Sequence, residues 1–467
     1  MILCAACYNG SRAFVEPEAR FIARMFRSVF VLLFALTGVL DARPPNIVLI
    51  VGDDVGYGDL GCYGSTLNPT PNIDALARGG LRFTDYHTGG AMCSPTRASM
   101  LTGCYPQRFG AEFDGALGER PDREVGLPLG AVTVAEKLKE KGYATACFGK
   151  WHLGYKPPMV PTRQGFDVFR GLLSGDGDHH THISRSGQED WYDGETLAME
   201  EGYTADLLTR HSIDFIAANR DQPFFLYLPH LAIHFPWQGP NDPPHRQKGG
   251  DYKNDKWGII PDPLNVAPHV TAMLESLDAS VGRVLETLQR LGLADDTLVI
   301  FTSDNGGYID YGPRFQHISS NGVFRGQKTE VYEGGHRVPL IVSWPGRIAP
   351  GVSDALTHSN DWMPTLMQLV GATAPPNDGV DLLPLLLDGK TLPDRSLFWR
   401  TRGDHAVRRG PWKLCAIGKR TELYHLGKDP GETTNRASDE PALVEELSTA
   451  WKAWNADVNQ TAKTFEP

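Results

Sequence analysis

The sequence predicts an α/β protein whose large, mainly parallel but mixed sheet is sandwiched by helices and followed by a smaller C-terminal α+β domain on an antiparallel sheet. Apolar runs typical of buried strands alternate with segments of helical spacing through most of the chain. From about residue 392 the pattern changes to short strand candidates separated by turn-rich pieces. Strands that alternate with helices favour a parallel sheet covered by those helices, whereas consecutive short strands favour antiparallel pairing.

Two predicted strands end in acidic residues. One covers residues 46–51 and leads into Gly52-Asp53-Asp54, and the other covers residues 297–301 and leads into Ser303-Asp304-Asn305. Ligands collect at the carboxyl ends of the strands in such a sheet, so we expect these side chains to lie together. Further strands are predicted over 223–228 and 339–343, and helices over 132–141, 204–218 and 271–291.

The predicted domains are a leader over residues 1–42, an α/β domain over 43–391 and an α+β domain over 392–467. The last domain is expected to contain strands over 396–400, 405–416 and 422–426 and a helix over about 441–458. A long loop rich in Pro and Gly, residues 236–263, is predicted to lie on the surface.

The N-terminus is typical of an export signal. Basic residues within 21–27 precede an apolar run over 29–40, and Ala42 offers a small residue at a plausible cleavage point. Met25 stands where such a signal normally begins, so translation is expected to start there. The apolar run is too short to span a bilayer. We therefore expect a secreted or periplasmic protein with no stable membrane span.

Composition limits the partners. The chain has 467 residues and a formal net charge of −11, which argues against general affinity for nucleic acid or acidic membranes. A site for a small anion must therefore be a local basic pocket. Neither composition nor pattern indicates an oligomeric state.

Cysteine counting singles out one residue. Removal of the leader would take Cys4 and Cys7 and leave five cysteines, namely Cys62, Cys93, Cys104, Cys147 and Cys415. Because five is odd, one should be unpaired, and the others can form zero, one or two bridges. Cys93 is the candidate, since Ser94 is a suitable N-cap and Pro95 suits the first helical position, which predicts a helix that starts beside the thiol. A buried structural thiol and a thiolate nucleophile remain alternatives, although cysteine phosphatases separate Cys and Arg by five residues rather than three.

The acidic strand ends predict a metal site. Asp53, Asp54, Asp304 and Asn305 would place three carboxylates and an amide together, and carboxylates in one place repel unless a cation joins them. Their hard oxygen atoms suit Ca²⁺ or Mg²⁺ rather than zinc. Either pair alone could be a cap or a turn. The two pairs together favour a metal.

The stretch Cys93-Ser94-Pro95-Thr96-Arg97, followed by Ala98-Ser99-Met100-Leu101-Thr102-Gly103, resembles the signature of type I sulfatases of the alkaline-phosphatase-like superfamily. In this family the Cys is oxidised after translation to formylglycine. Further blocks resemble the family in the expected order, over residues 46–58, 149–154 (GKWHLG), 224–236, 301–306 and 325–339. The resemblance covers roughly residues 44–436 and is closest in style to N-acetylgalactosamine-6-sulfatase and arylsulfatase-type carbohydrate sulfatases.

The resemblance implies a site residue by residue. One Ca²⁺ per chain would be bound by Asp53, Asp54, Asp304, Asn305 and the modified Cys93. Arg97 would hold the formylglycine hydroxyl, and Lys150, His152 and Lys328 would contact the nucleophile or the sulfate. The remaining family His is matched by His234, which precedes Phe235-Pro236, with His230 as the alternative.

The resemblance also implies how these residues act. One hydroxyl of the hydrated aldehyde attacks sulfur, with Asp304 as proton acceptor and the cations compensating charge. His234, with Lys328, protonates the departing alkoxide, and His152 takes the proton of the second hydroxyl.

The expected activity is that of a sulfuric ester hydrolase acting on a sulfated carbohydrate or an aryl sulfate, after maturation by a formylglycine-generating enzyme. Two alternatives stay open: a phosphodiesterase or phosphonate monoester hydrolase on the same scaffold, and a non-catalytic glycan-binding protein. Two further sets of residues could serve the substrate or simply pack: the loop over 176–182, with His179, His180 and His182 as possible second metal ligands, and Trp191, Trp237 and Trp257.

Overall fold

A ten-stranded mixed sheet forms the centre of the molecule. The computed structural model describes residues 43–118 and 124–465, so the predicted leader over residues 1–42 lies outside the described residues. In the described part of the chain the strands are β1 (Asn46–Gly52), β2 (Leu81–Phe83), β3 (Tyr86–His87), β4 (Ala144–Lys150), β5 (Val168–Leu172), β6 (Tyr192–Asp193), β7 (Thr196–Leu197), β8 (Phe224–Pro229), β9 (Thr297–Ser303), β10 (Leu340–Ser343), β11 (Gly351–Ser353), β12 (Thr357–His358), β13 (Ser396–Arg400), β14 (Asp404–Arg409), β15 (Trp412–Ile417) and β16 (Arg420–His425).

The strand order of the central sheet is β11-β2-β10-β9-β1-β8-β4-β5-β6-β7. Its five parallel pairings outnumber its four antiparallel ones, which confirms the predicted mainly parallel, mixed sheet. The register pairs Gly52 of β1 with Ser303 of β9. The acidic residues that follow these two strands therefore begin side by side, at the carboxyl edge of the sheet.

Helices cover both faces of the central sheet. The described helices are α1 (Pro71–Gly79), α2 (Cys93–Thr102), α3 (Val134–Glu140), α4 (Thr204–Ala218), α5 (Ala267–Arg290), α6 (Glu333–His336), α7 (Trp362–Leu369), α8 (Leu383–Asp388) and α9 (Pro441–Ala462). Alternate residues of β1 point to opposite faces: Ile47 and Leu49 join one apolar core, and Val48 and Ile50 join the other. None of the helices in the described residues is long and apolar enough to cross a bilayer.

A separate four-stranded antiparallel sheet, β13 to β16 in order, forms the predicted C-terminal sheet. Helix α9 covers one face, where its Leu447 packs on Val407 and Leu414. The single strand predicted over residues 405–416 is wrong, because the chain turns at Gly410, whose φ is 54°. The described residues from Pro45 onwards form one compact unit, and the domain boundary at residue 392 stays a prediction.

Three sequence expectations about loops and cysteines are resolved. The long loop over 236–263 is not simply a surface loop, since Trp237, Arg246 and Trp257 are buried. The loop over 176–182 is likewise mostly buried, and it holds none of the candidate metal groups found among the described residues. Of the alternatives left open for the cysteines, the structure shows the unbridged state for all five described residues, Cys62, Cys93, Cys104, Cys147 and Cys415.

Candidate active site

Cys93 is the first residue of helix α2 and is buried. The expectation that Ser94 caps this helix is wrong: the capping position belongs to Met92, and the Ser94 hydroxyl instead accepts a hydrogen bond from the Leu117 backbone N–H at 3.0 Å. The Cys93 side chain still lies at the positive end of the helix. Its thiol donates to Asp53 Oδ1 at 3.7 Å and accepts from Lys328 Nζ at 3.3 Å.

The acidic residues that follow β1 and β9 surround this thiol. Ligand atoms of Asp53, Asp54, Cys93 and His234 all lie within 4.8 Å of one another. Asp304 joins the same cluster, since its Oδ1 accepts from the Asp54 N–H at 3.2 Å. Asp54 itself has a φ of 65°, in the left-handed region that costs a non-glycine residue free energy. The sheet and helix α2 therefore bring three predicted metal ligands, Asp53, Asp54 and Asp304, to the predicted nucleophile Cys93.

Asn305 is oriented as a metal ligand would be. Its amide nitrogen donates to Asp54 Oδ1 at 2.7 Å and to the Gly306 carbonyl at 3.0 Å. Its Oδ1 is buried and has no hydrogen-bond partner among the described residues. An unpartnered buried carbonyl oxygen is costly unless a cation or another donor faces it. With the neighbouring carboxylates it forms an all-oxygen set that fits Ca²⁺.

The pKa values of the carboxyls in the cluster also favour a bound cation. Burial raises the pKa of Asp53 to about 8, with further increases from Asp304 and Asp54 that Lys150 and Arg97 only partly offset. Burial alone would also raise the pKa of Asp304, but Arg97, Lys150 and Lys328 outweigh it and lower that pKa. A bound divalent cation would favour the ionised form of Asp53 in the same way.

Three buried cations surround the acidic cluster. Arg97 donates from Nε and Nη2 to Asp304 Oδ2, at 3.1 and 2.7 Å. Lys150 Nζ lies 2.5 Å from Asp53 Oδ2, and Lys328 Nζ lies 2.5 Å from Asp54 Oδ1. Each cation can neutralise charge on an anionic substrate that reaches Cys93.

An unmodified thiolate is not favoured here. Burial raises the pKa of the Cys93 thiol to about 11, and the lowering by Lys150 and Lys328 does not offset it. Reactive thiolates need a lowered pKa. The raised pKa does not support the cysteine-phosphatase alternative.

The two predicted histidines lie in the same pocket. His152, with a φ of 56°, donates from Nε2 to the Leu117 carbonyl at 2.9 Å, which leaves Nδ1 as a buried acceptor without a partner among the described residues. His234 bonds through Nδ1 to the Phe235 carbonyl at 2.8 Å, and its Nε2 lies 3.9 Å from Asp54 Oδ2. Burial, Lys328 and Lys150 hold the pKa of His234 well below its ordinary value.

His230 lies outside the pocket. It is buried beside helix α5, where its Nε2 lies 3.1 Å from Ser280 Oγ. The structure therefore brings His234, rather than His230, to the cluster.

The cluster opens into a pocket of about 210 Å³. Cys93, His152, His234 and Lys328 line it together with Asp176, which belongs to the loop over 176–182 that the sequence offered for the substrate. It is also lined by residues that the motifs did not indicate: Tyr155, Arg185, Lys256, Tyr308 and Tyr311. These residues lie in irregular segments without periodicity, and of them Lys256 alone falls in a loop that the sequence analysis described, the one over residues 236–263.

Known protein families match this chain over most of its length. The family model described as "Sulfatase" matches residues 45–372. The chain belongs to the Sulfatase family. A second model, "N-sulphoglucosamine sulphohydrolase, C-terminal", matches residues 322–453 of this sulfatase.

Relatives and a solved structure agree with the family. The sulfatase is 38% identical to arylsulfatase A of Homo sapiens over 457 residues, covering 89% of this chain and 84% of the relative. It is 32% identical to N-acetylgalactosamine-6-sulfatase of Homo sapiens, with coverages of 84% and 81%. The crystal structure of Ps i-CgsB in complex with k-i-k-neocarrahexaose superposes with a TM-score of 0.77 at 29% identity, covering 90% of this chain and 94% of that one. The protein is thus an enzyme, a sulfatase, with an alkaline-phosphatase-like fold.

Proposed function

We propose that this sulfatase hydrolyses a sulfate ester of a sulfated carbohydrate with a formylglycine made from Cys93 and one Ca²⁺. The observation that carries the proposal is the arrangement of Cys93 between two lysines and an acidic cluster in which Asn305 Oδ1 is unpartnered. The preference for a carbohydrate over a small aryl ester is supported by two relatives, N-acetylgalactosamine-6-sulfatase at 32% identity and Ps i-CgsB, whose structure was solved in complex with k-i-k-neocarrahexaose. The 38% identity to arylsulfatase A keeps an aryl ester among the substrates to be tested.

The residues that would hold the metal are Asp53, Asp54, Asp304 and Asn305, with the modified residue 93. When bound, Ca²⁺ supplies positive charge that polarises sulfate oxygens and lowers the pKa of a neighbouring hydroxyl. When formed, formylglycine supplies a hydrated aldehyde, whose two hydroxyls allow attack on sulfur and later release of sulfate. The formation requires oxidation by a separate formylglycine-generating enzyme.

The other side chains bind and move protons. Lys150 and Lys328 stabilise the charge of the sulfate group, and Arg97 holds Asp304 in its ionised form. Asp304 stays the proposed proton acceptor, although the carboxylate that the Cys93 thiol contacts is Asp53.

His234 and His152 act at different steps of the proposed hydrolysis, His234 when the alcohol leaves and His152 when sulfate is released. His152 can accept the proton of the second hydroxyl at Nδ1, because Nε2–H is fixed by the Leu117 carbonyl. His234 would protonate the departing alkoxide with Lys328. An anionic substrate beside His234 would raise its lowered pKa and so favour the protonated form.

We further propose that the enzyme is exported and acts in a secreted or periplasmic location. The basis is the order of basic, apolar and small residues within residues 21–42. N-terminal sequencing of the mature protein tests this; a mature chain that retains residues 25–40 would contradict export by cleavage.

The activity is tested with matched sulfate, phosphate and phosphonate esters after expression with a maturation enzyme. We expect sulfate release, formylglycine in the tryptic peptide containing residue 93 by mass spectrometry, and loss of at least about 1,000-fold in kcat/KM for Cys93→Ala. Cys62→Ala is the control and should stay active, since Cys62 does not line the pocket and its backbone N–H bonds to Asp74 on helix α1. Faster phosphate or phosphonate turnover, or sugar binding by an unmodified thiol without sulfate release, would contradict the proposal.

A further inference from the structure

One cation in the pocket wall has no part in the chemistry around Cys93. Lys256 lines the same pocket as Cys93 and His234. Its Nζ lies 5.1, 4.7 and 5.2 Å from the ring centroids of Phe235, Trp257 and Tyr311. Its polar contact is the Tyr311 hydroxyl at 3.4 Å, and no carboxylate of the described residues forms an ion pair with it. The ammonium group is therefore enclosed by aromatic rings and lacks a counter-ion there.

The backbone of Lys256 is fixed. Its carbonyl accepts from Arg246 Nη2 at 3.0 Å, and the carbonyl of Trp257 accepts from the Trp237 N–H at 2.8 Å. Arg246 is itself fully buried and lies 3.1 Å from Asp176 Oδ2. A lysine whose backbone is held in this way loses less conformational entropy when it binds a ligand than one on a mobile loop.

The pocket wall around Lys256 is positively charged. Asp176 is the one carboxylate among the described residues that line the pocket. It is bound by two arginines, Arg185 at 2.9 Å and Arg246 at 3.1 Å. Its single negative charge is therefore shared between two cations, and it leaves the charge of Lys256 uncompensated.

Phe235 contacts both Lys256 and His234, and so relates Lys256 to the residues around Cys93. The Phe235 ring centroid lies 4.1 Å from that of His234 and 5.1 Å from Lys256 Nζ. Lys328, by contrast, contacts Asp54 and Cys93 directly. Lys256 therefore lies one side chain, Phe235, away from His234 in the same pocket, at a different part of the wall from Lys328.

We propose that Lys256 binds a second anionic group of the substrate, a carboxylate or a further sulfate ester on the sugar unit that carries the scissile sulfate or on its neighbour. This inference rests on the proposed hydrolysis of carbohydrate sulfate esters and narrows the substrate class to polyanionic glycans. Aromatic faces replace only part of the hydration that an ammonium loses in a pocket. A charge-assisted hydrogen bond to an anionic ligand would supply the rest.

The test compares Lys256→Gln with Lys253→Gln. Lys253 lies in the same loop, is 63% exposed, pairs with Asp251 and does not line the pocket. The probes are a monosulfated and a disulfated N-acetylhexosamine, a sulfated disaccharide with a uronic acid and its carboxyl-reduced form, and 4-nitrophenyl sulfate.

We expect Lys256→Gln to lower kcat/KM about 10-fold to 100-fold, mainly through KM, for probes with a second anionic group. It should leave kcat/KM for 4-nitrophenyl sulfate within about 2-fold, because that probe lacks the group. If Lys256→Gln loses kcat/KM only on the disulfated sugar, the second anionic group is a sulfate. If the loss is confined to the uronic acid probe, the group is a carboxylate. Lys253→Gln should match the wild type throughout.

The inference would be overturned if Lys256→Gln lost the same factor in kcat/KM on all probes. It would also be overturned if the wild type showed no higher kcat/KM for any probe with a second anionic group. In both cases the proposed function would stand. A wild-type enzyme with formylglycine that releases sulfate from none of the probes would overturn both.

Discussion

The position of the His152 ring depends on Gly175, which has no side chain. A Cβ on Gly175 would lie 2.4 Å from His152 Cε1 and 2.5 Å from Nε2. Nε2 is the atom that donates to the Leu117 carbonyl and so fixes which nitrogen can accept a proton. The absence of a side chain at residue 175 is therefore a condition for the position of the His152 ring.

We predict that Gly175→Ala lowers kcat/KM for sulfate ester hydrolysis by about 10-fold to 100-fold, because displacing a proton-transfer group by about 1 Å has effects of that size. Steady-state kinetics and a thermal unfolding scan measure activity and stability separately. Gly403→Ala is the control, since nothing lies within 4 Å of a Cβ there. Equal activity of the two variants would show that the ring adapts.

Sequence patterns predicted the central residues of the site but, apart from Asp176 in the loop over 176–182, missed the polar and aromatic residues of its wall. Asp53 and Asp304 could be predicted because each follows a buried apolar strand, and the carboxyl ends of such strands meet. Lys256 could not, because it lies in a loop whose path is set by the buried ion pair of Arg246 with Asp176. Ser94 was misassigned as a cap, since a cap depends on the backbone that precedes the helix.

At the scale of elements, a buried ionic network joins the C-terminal sheet to the α/β domain. Lys413 on β15 lies 2.9 Å from Glu333 on α6 and 3.0 Å from Glu432. Arg408 on β14 lies 2.6 Å from Asp85, just before β3. His87, Glu333 and His336 lie close enough to hold a metal, but the neighbouring cations already balance these carboxylates.

We predict that Lys413→Met destabilises the protein by about 3 to 5 kcal/mol, because it leaves the buried carboxylate of Glu432 without its cation and removes one of the three cations that face Glu333. Denaturant unfolding followed by tryptophan fluorescence measures the loss. Lys452→Met removes an exposed lysine from α9 and should change the free energy of unfolding by less than about 0.5 kcal/mol. A similar small change for Lys413→Met would mean that the network contributes little.

The elements themselves were predicted unevenly. Helix α4 covers the predicted residues 204–218, where apolar residues recur at helical spacing. Helix α5 begins at Ala267 rather than 271, since a proline such as Pro268 is tolerated in the first turn of a helix. Helix α3 begins after Thr133, which forms a reciprocal capping pair with Glu136.

At the scale of the whole molecule, eight buried histidines among residues 43–118 and 124–465 have pKa values lowered chiefly by burial: His87, His152, His179, His182, His230, His234, His336 and His358. The pKa of His87 falls to about 4 and that of His230 to about 3. In the unfolded chain these imidazoles bind protons near pH 6.5. The folded state binds fewer protons than the unfolded state below that pH.

We predict that the free energy of unfolding falls as pH drops from about 6.5 towards about 4, by on the order of 1 kcal/mol per pH unit for each histidine that stays neutral. The stability from these neutral imidazoles is fully present above about pH 6.5. Burial raises the pKa of Asp53 to about 8 and of Asp59 to about 7, which acts in the opposite sense. It also raises the pKa values of Asp114, Glu136, Asp278, Glu330 and Glu432. These seven carboxyls reduce the slope, and we expect the eight imidazoles to set its sign.

Thermal unfolding midpoints between about pH 7.5 and about pH 4.5, in EDTA and in CaCl₂, measure this slope. His230→Asn should reduce it without touching the pocket, because His230 bonds to Ser280 on helix α5. A midpoint independent of pH over that interval would contradict the prediction.

The five unbridged cysteines have a consequence for how the protein is made. Since the described part of the chain folds without a disulfide, an oxidising environment contributes no cross-link to it. Reducing agents can then be kept throughout preparation at no cost to folding. Oxidation of Cys93, the first residue of helix α2, can accordingly be switched on or off in the producing cell without breaking a disulfide, which makes matured and unmatured enzyme directly comparable.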